Sequence, residues 1–167
     1  MSQISLVGAG PGPLELLTLR ALHRLEAAEV VVYDRLVGSE ILARIPHGAA
    51  RFDVGKRCGE PSPTQEEINA LLLALARTGK RVVRLKGGDP LVFGRGGEEA
   101  LHLARHGIEA ELVPGITAAL GCAASSFIPL THRGLARSLT LVTGHLMDER
   151  DYQGWQGLTR AGHTLVF

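Results

Sequence analysis

The stretch Leu85-Lys86-Gly87-Gly88-Asp89-Pro90-Leu91-Val92-Phe93-Gly94-Arg95-Gly96-Gly97 sets five glycines, an aspartate and an arginine directly after an apolar run. A tight strand-to-helix turn uses one or two glycines, so this loop holds more than a turn requires. Glycine lets the backbone turn sharply or come close to another group. Open α/β sheets bind ligands where loops leave the carboxyl ends of their strands. Gly87 and Gly88, having no side chains, are therefore expected to let backbone donors and acceptors reach a ligand directly.

Gly8-Ala9-Gly10-Pro11-Gly12 also follows a strand-like run, and Asp34 stands at the end of the next one. That arrangement invites the dinucleotide fingerprint. The spacing fails in detail, because Pro13 stands where the third glycine of GxGxxG belongs. Pro11 and Pro13 also remove two N–H groups from a turn that would hold a pyrophosphate. Gly79-Lys80 is followed by Arg81 rather than Ser or Thr, so there is no Walker phosphate loop. Lys56, in Gly55-Lys56-Arg57, reads on pattern alone either as a cleft residue or as a solvated lysine. Thr131-His132-Arg133 either faces a site or ends a loop. His132 and His145 have no Cys, Asp or Glu at ligand spacing, so no metal site is expected. Ser125-Ser126 lacks the GxSxG context of a hydrolase nucleophile. Trp155 and the few other aromatics do not alternate with basic residues, which argues against single-stranded nucleic acid.

These residues must be positioned by the elements between them. Ile4-Ser5-Leu6-Val7 predicts a strand running into the first glycine turn. Leu16, Leu19 and Leu22 then form a helical stripe, with Pro13 and Glu15 suited to a first turn. Val30 to Tyr33 predicts a second strand, and Phe52-Asp53-Val54 a short third. Thr64 and Glu67 make a capping box for a helix carrying Ile68, Leu71, Leu72 and Leu75, closed by Gly79. A fourth strand follows over Arg81 to Leu85, a helix from Glu98 to His106 stopped by Gly107, and a fifth strand from Glu109 to Val113. The β-α-β-α order predicts an α/β domain with a mainly parallel sheet.

The texture changes at Pro114-Gly115. A small-residue helix over Thr117 to Ser126, a strand over Leu139 to Thr143 and a polar loop over Asp148 to Gly157 come next. Thr164 to Phe167 is a last apolar strand, and a natural domain seldom stops on one, so the protein looks truncated. The expected division is an N-terminal α/β domain over 1–114 and the beginning of a second α/β domain over 115–167.

Composition narrows the functions further. Lys plus Arg number 18 against 17 Asp plus Glu, a formal net charge of +1 in 167 residues. That balance offers no bulk pull on nucleic acid or on a membrane surface. With 45% hydrophobic and 21% charged residues, the chain has a globular composition. No apolar run nears the about 20 residues of a membrane helix, and Met1-Ser2-Gln3-Ile4 lacks a signal-peptide pattern. Cys58 and Cys122 lie far apart, which argues against zinc and against a disulfide framework. A cytoplasmic location is the simplest expectation. Lysine occurs only as Lys56, Lys80 and Lys86. Base composition or thermal adaptation explains most of the arginines, although arginine also suits two-pronged carboxylate recognition.

Read in order, Val7 to Gly12, Tyr33 to Val37, Gly55 to Arg57, Gln65 to Asn69, Val83 to Glu99, Pro114 to Ala118, Pro129 to Arg133 and Thr143 to His145 form a combined pattern. From Ile4 to Phe167 the chain closely resembles the uroporphyrinogen-III C-methyltransferases of the tetrapyrrole methylase superfamily. The resemblance implies the tetrapyrrole methylase fold: two α/β domains with the active site in the cleft between them, in a homodimer. It implies transfer of methyl groups from S-adenosylmethionine to two pyrrole carbons of uroporphyrinogen III, leaving S-adenosylhomocysteine. The product would be precorrin-2, on the way to sirohaem and cobalamin. Pro11, Gly87, Gly88, Asp89, Val92, Thr117 and Ala118 then correspond to cofactor contacts, Asp34 to the proton acceptor and Lys56 to the proton donor. The many carboxylates of the substrate would give Arg35, Arg57, Arg95 and Arg133 a task as forks. Two departures stand out. Pro13 occupies a position where the family usually carries Asp, and family chains continue past Phe167 into a segment whose Met and Gly contact the cofactor.

This chemistry asks the protein chiefly to hold two reactants at near-attack distance. A carboxylate can stabilise the cationic pyrrole or take its proton. Two other readings stay open: another precorrin methyltransferase acting at a different ring carbon, and a non-catalytic ligand- or dinucleotide-binding domain.

Overall fold

The computed structural model describes residues 3–55, 62–143 and 160–167. They form two compact units, Met1–Thr117 and Ala118–Phe167. The first is built on β1 (Ile4–Gly8), β2 (Val30–Tyr33), β3 (Ala50–Asp53), β4 (Val82–Lys86) and β5 (Glu111–Val113). Their order is β3-β2-β4-β1-β5, and every pairing is parallel. The mainly parallel α/β sheet expected from the sequence is therefore present. β1 and β4 are buried along their whole length, as strands covered on both faces must be.

Alternate strand residues sort onto opposite faces. Val7, Val31, Val83, Leu85 and Val113 pack with Ala21 and Leu25 of α1 (Leu19–Glu26) and Ile41 of α2 (Ser39–Leu42). Ile4, Val30, Val32 and Val82 pack with Ile68, Leu72 and Ala76 of α3 (Gln65–Ala76) and Leu103 of α4 (Gly96–Arg105). The chain thus leaves β1 and β4 toward opposite faces of the sheet. The crevice between their carboxyl ends is a topological switch point.

Local chemistry explains most boundaries. Thr64 and Glu67 close a complete capping box on α3, and Gly79 takes the left-handed turn beyond it at φ 77°. The expected leucine stripe over Leu16, Leu19 and Leu22 is not one helix. Pro13 caps a separate 3-10 turn over Leu14–Leu16, and the backbone is extended at Leu17 and Thr18. α1 starts only after the Thr18 hydroxyl accepts the Ala21 N–H. Leu19 is consequently 75% exposed, and Ala21 and Leu25 form the buried face.

The second unit holds α5 (Ala118–Ser126) and the parallel pair β6 (Ser138–Leu141) and β7 (His163–Val166). The expected polar loop over Asp148 to Gly157 lies outside the described residues. Among the described residues no helix is long and apolar enough to cross a membrane.

Candidate functional site

Beyond the last rungs of β1 and β4, their loops continue to pair. Ala9 N–H donates to the Lys86 carbonyl at 2.7 Å, Gly10 N–H to Gly88 at 3.1 Å, and Gly88 N–H back to Gly10 at 2.8 Å. The chain leaving β5 passes through the same place. A Cβ on Gly8 would lie 2.5 Å from Gly115 N and 2.7 Å from the Gly88 oxygen. The loop after β2 joins them, since a Cβ on Gly38 would lie 2.6 Å from the Gly12 oxygen and one on Gly87 2.6 Å from Leu36 Cβ. Four loops therefore converge at the switch point with little but backbone at the crossings.

Asp89 fastens this convergence. Its Oδ1 accepts the Leu91 N–H at 2.8 Å and its Oδ2 accepts the Gly115 N–H at 3.0 Å. The glycines of the loop also have immediate steric causes. Gly87 abuts Leu36, Gly88 sits at φ 65°, and Cβ atoms on Gly94 and Gly96 would lie 2.8 and 2.5 Å from the Pro90 oxygen. Gly97, by contrast, faces open space. The glycine surplus taken from the sequence as ligand approach is thus demanded first by backbone crossing. Phe93 and Arg95 hold left-handed conformations at φ 53° and 57° without being glycine, a strain typical of ligand edges.

Asp34 closes β2 at the same edge, half-buried. Its Oδ1 accepts the Leu36 N–H at 3.1 Å, and its Oδ2 stands 3.5 Å from the Arg84 guanidinium. Behind it lies a charge cluster that sequence reading missed. Arg84 Nε donates to Glu99 Oε1 at 3.2 Å, Lys86 Nζ to the same oxygen at 3.0 Å, and Gln65 Nε2 at 3.4 Å. Arg84, Lys86 and Glu99 are 3%, 4% and 1% exposed. Burial, followed by the charge of Arg84, holds the Lys86 ammonium below the usual lysine range, against the opposing pull of Glu99. A signal was available: Arg84 and Lys86 share one face of a strand that had to be buried, so an acid had to meet them.

The remaining expected residues divide. Pro11 and Val92 sit half-buried in the loops after β1 and β4, and Thr117 ends the first unit half-buried. Arg35 is exposed beside Asp34, with Gly55 flush against its Cγ. Arg95 already holds a carboxylate, donating to Glu98 through Nε at 2.9 Å and Nη2 at 2.6 Å. That bond, ahead of the pair's charge, raises the Arg95 pKa and lowers that of Glu98. Ala118 opens α5, and Arg133 is exposed in the second unit. Lys56 and Arg57 lie outside the described residues. Within the first unit, then, Pro11, Asp34, Gly87, Gly88 and Asp89 share one edge.

Residues 3–167 match the family described as Tetrapyrrole (Corrin/Porphyrin) Methylases. The chain belongs to this family. Siroheme synthases from Pseudomonas aeruginosa (strain LESB58) and Edwardsiella ictaluri (strain 93-146) are 56% and 54% identical to this tetrapyrrole methylase over 165 residues. The match covers 99% of this chain and 36% of theirs. Among solved structures, uroporphyrin-III-C-methyltransferase from Thermus thermophilus superposes with a TM-score of 0.76 at 55% identity, over 85% of this chain and 60% of that one. The form of that enzyme complexed with S-adenyl homocysteine gives 0.74 at 54% identity, over 86% and 59%. Cobalt precorrin-4 methyltransferase gives 0.74 at 32% identity, over 86% and 58%. This methylase chain therefore spans about a third of the siroheme synthases and about 60% of the solved methyltransferases it matches.

Proposed function

We propose that this chain belongs to an S-adenosylmethionine-dependent C-methyltransferase that converts uroporphyrinogen III to precorrin-2. The observation that carries the reading is the 55% identity to uroporphyrin-III-C-methyltransferase from Thermus thermophilus over 85% of this chain. The edge offers the cofactor backbone rather than side chains: Gly8, Gly87 and Gly115 lie so close to the neighbouring loops that none has room for a Cβ, and Gly88 turns through φ 65° beside them. Pro11, Gly87, Gly88, Asp89, Val92, Thr117 and Ala118 would hold it, with Asp89 acting largely by keeping the loops together. When bound, S-adenosylmethionine supplies an electrophilic methyl group.

The chain's own residues supply the rest. Asp34 faces the methylated, cationic pyrrole, stabilises its charge and takes the ring proton. Lys56 returns a proton. Arg35, Arg57, Arg95 and Arg133 bind substrate carboxylates, with Arg95 exchanging Glu98 for the incoming group. The proposal includes domains over 1–114 and 115–167, a homodimeric assembly and a cytoplasmic location, the last supported by two lone cysteines and balanced charge.

Incubation with S-adenosylmethionine and uroporphyrinogen III should give the absorption spectrum of precorrin-2. Methylation at another ring carbon would move the chain to a different precorrin methyltransferase. Calorimetric binding of NAD, with none of S-adenosylmethionine or S-adenosylhomocysteine, would make it a non-catalytic dinucleotide module.

A further inference from the structure

The proposed methyl transfer leaves Arg84, Lys86, Glu99 and Gln65 without a task. Burying ionised groups is costly, and apolar residues of similar size often pack at least as stably. Here two cations and two carboxylates, Asp34 included, cluster where the rest of that face is apolar. The arrangement around Arg84 is directional. Its Nε donates to Glu99, its Nη1 donates to the Leu85 carbonyl at 3.2 Å, and its Nη2 points to Asp34 Oδ2. The guanidinium is held at three corners, and one corner is the group assigned to proton transfer. The other Asp34 oxygen is fixed by the Leu36 N–H.

Glu99 is the anchor of this chain of contacts. At 1% exposure it can touch no substrate. Lys86 from β4 and Gln65 from α3 reach the same Oε1, so the carboxylate cannot turn away from Arg84. We propose that Glu99 is a positioning residue for the reaction: through Arg84 it fixes the direction in which Asp34 presents its carboxylate at the end of β2. The inference rests on the assignment of Asp34 as proton acceptor in the proposed methyl transfer.

The test is a kinetic cycle on the full chain with S-adenosylmethionine and uroporphyrinogen III. Glu99→Gln keeps the shape and removes the charge. Turnover should fall by about 10–10²-fold, the usual effect of losing a group that orients a reacting residue, with the KM for S-adenosylmethionine within about twofold. Placed on Asp34→Asn, the same substitution should cost less than about twofold more, because the group it positions is already disabled. Equal fold-losses in both backgrounds would show a purely structural role and overturn the inference. If Glu99→Gln does not fold because a surplus cation is buried, Glu99→Gln with Lys86→Met restores the balance and the same comparison decides. An Asp34→Asn variant with normal turnover would remove the base, and the positioning role with it. Failure of the wild-type chain to methylate uroporphyrinogen III would remove the proposed function itself.

Discussion

Gly8→Ala adds the smallest side chain there is, and it should still break the loop convergence. The new Cβ would lie 2.5 Å from Gly115 N, 2.6 Å from Gly115 Cα and 2.7 Å from the Gly88 oxygen. Unstrained carbon contacts lie at about 3.5–4.0 Å, so something must retreat by about 1 Å. All three obstructing atoms are backbone, and no rotamer change relieves them. Their retreat pulls on the Gly10–Gly88 pair and on the Gly115–Asp89 bond. Overpacking of this kind costs about 1–3 kcal/mol, and each lost hydrogen bond about 1 kcal/mol more. The expected loss is therefore about 3–5 kcal/mol, or about 6–20 °C of melting temperature for a chain of this size. Gly97→Ala is the control, since its Cβ meets nothing within 4 Å and alanine in a helix is favoured by up to about 1 kcal/mol. Thermal unfolding followed by circular dichroism compares the two. A Gly8→Ala transition within about 2 °C of wild type would mean that the loops do not cross as described.

Asp89→Ala removes two backbone ties and should cost about 2 kcal/mol, with S-adenosylmethionine affinity falling alongside in calorimetry; unchanged affinity would separate the fastening from the ligand edge. Asp34→Asn should lower turnover by about 10²–10⁴-fold while cofactor affinity holds, and the reverse pattern would make Asp34 a binding residue. Glu111 is held below the ordinary glutamate value of 4.5 chiefly by its hydrogen bond from Arg24, aided by Ser5. A carboxyl lowered on folding contributes stability above its unfolded pKa and loses it as pH falls through the folded one. Melting temperature should accordingly drop as the medium is acidified below 4.5, and Glu111→Gln should flatten that part of the profile. Equal acid sensitivity of both proteins would place the titration elsewhere.

The strands were legible because β-branched runs of the right length end at glycine or aspartate, and α3 was legible because Thr64 and Glu67 announce it. A one-turn helix such as α2 has no period to read. The break before α1 escaped because three leucines at helical spacing outweighed Thr18, the residue that caps it. The loop after β4 was recognisable as a special edge, but the reason for its glycines was not: Leu36 excludes a Cβ at Gly87 and Pro90 excludes one at Gly94 and Gly96, contacts that exist only once the loops have folded. The Glu99 cluster was hidden for the same reason, since it joins a strand to two helices through side chains far apart in sequence.

The strand order has a consequence for synthesis of the chain. β1 pairs only with β4 and β5 among the described residues, both of which come later, and β4 alone joins it to the β2–β3 pair. Until Val82–Lys86 has been made, Ile4, Leu6 and Val7 have no strand to bond, and β2–β3 is a two-stranded ribbon with an open edge. Parallel pairings across long loops form slowly, and unpaired apolar strands invite association in the meantime. A nascent chain stopped before β4 should therefore draw chaperone cover, and release from it should coincide with the emergence of the central strand.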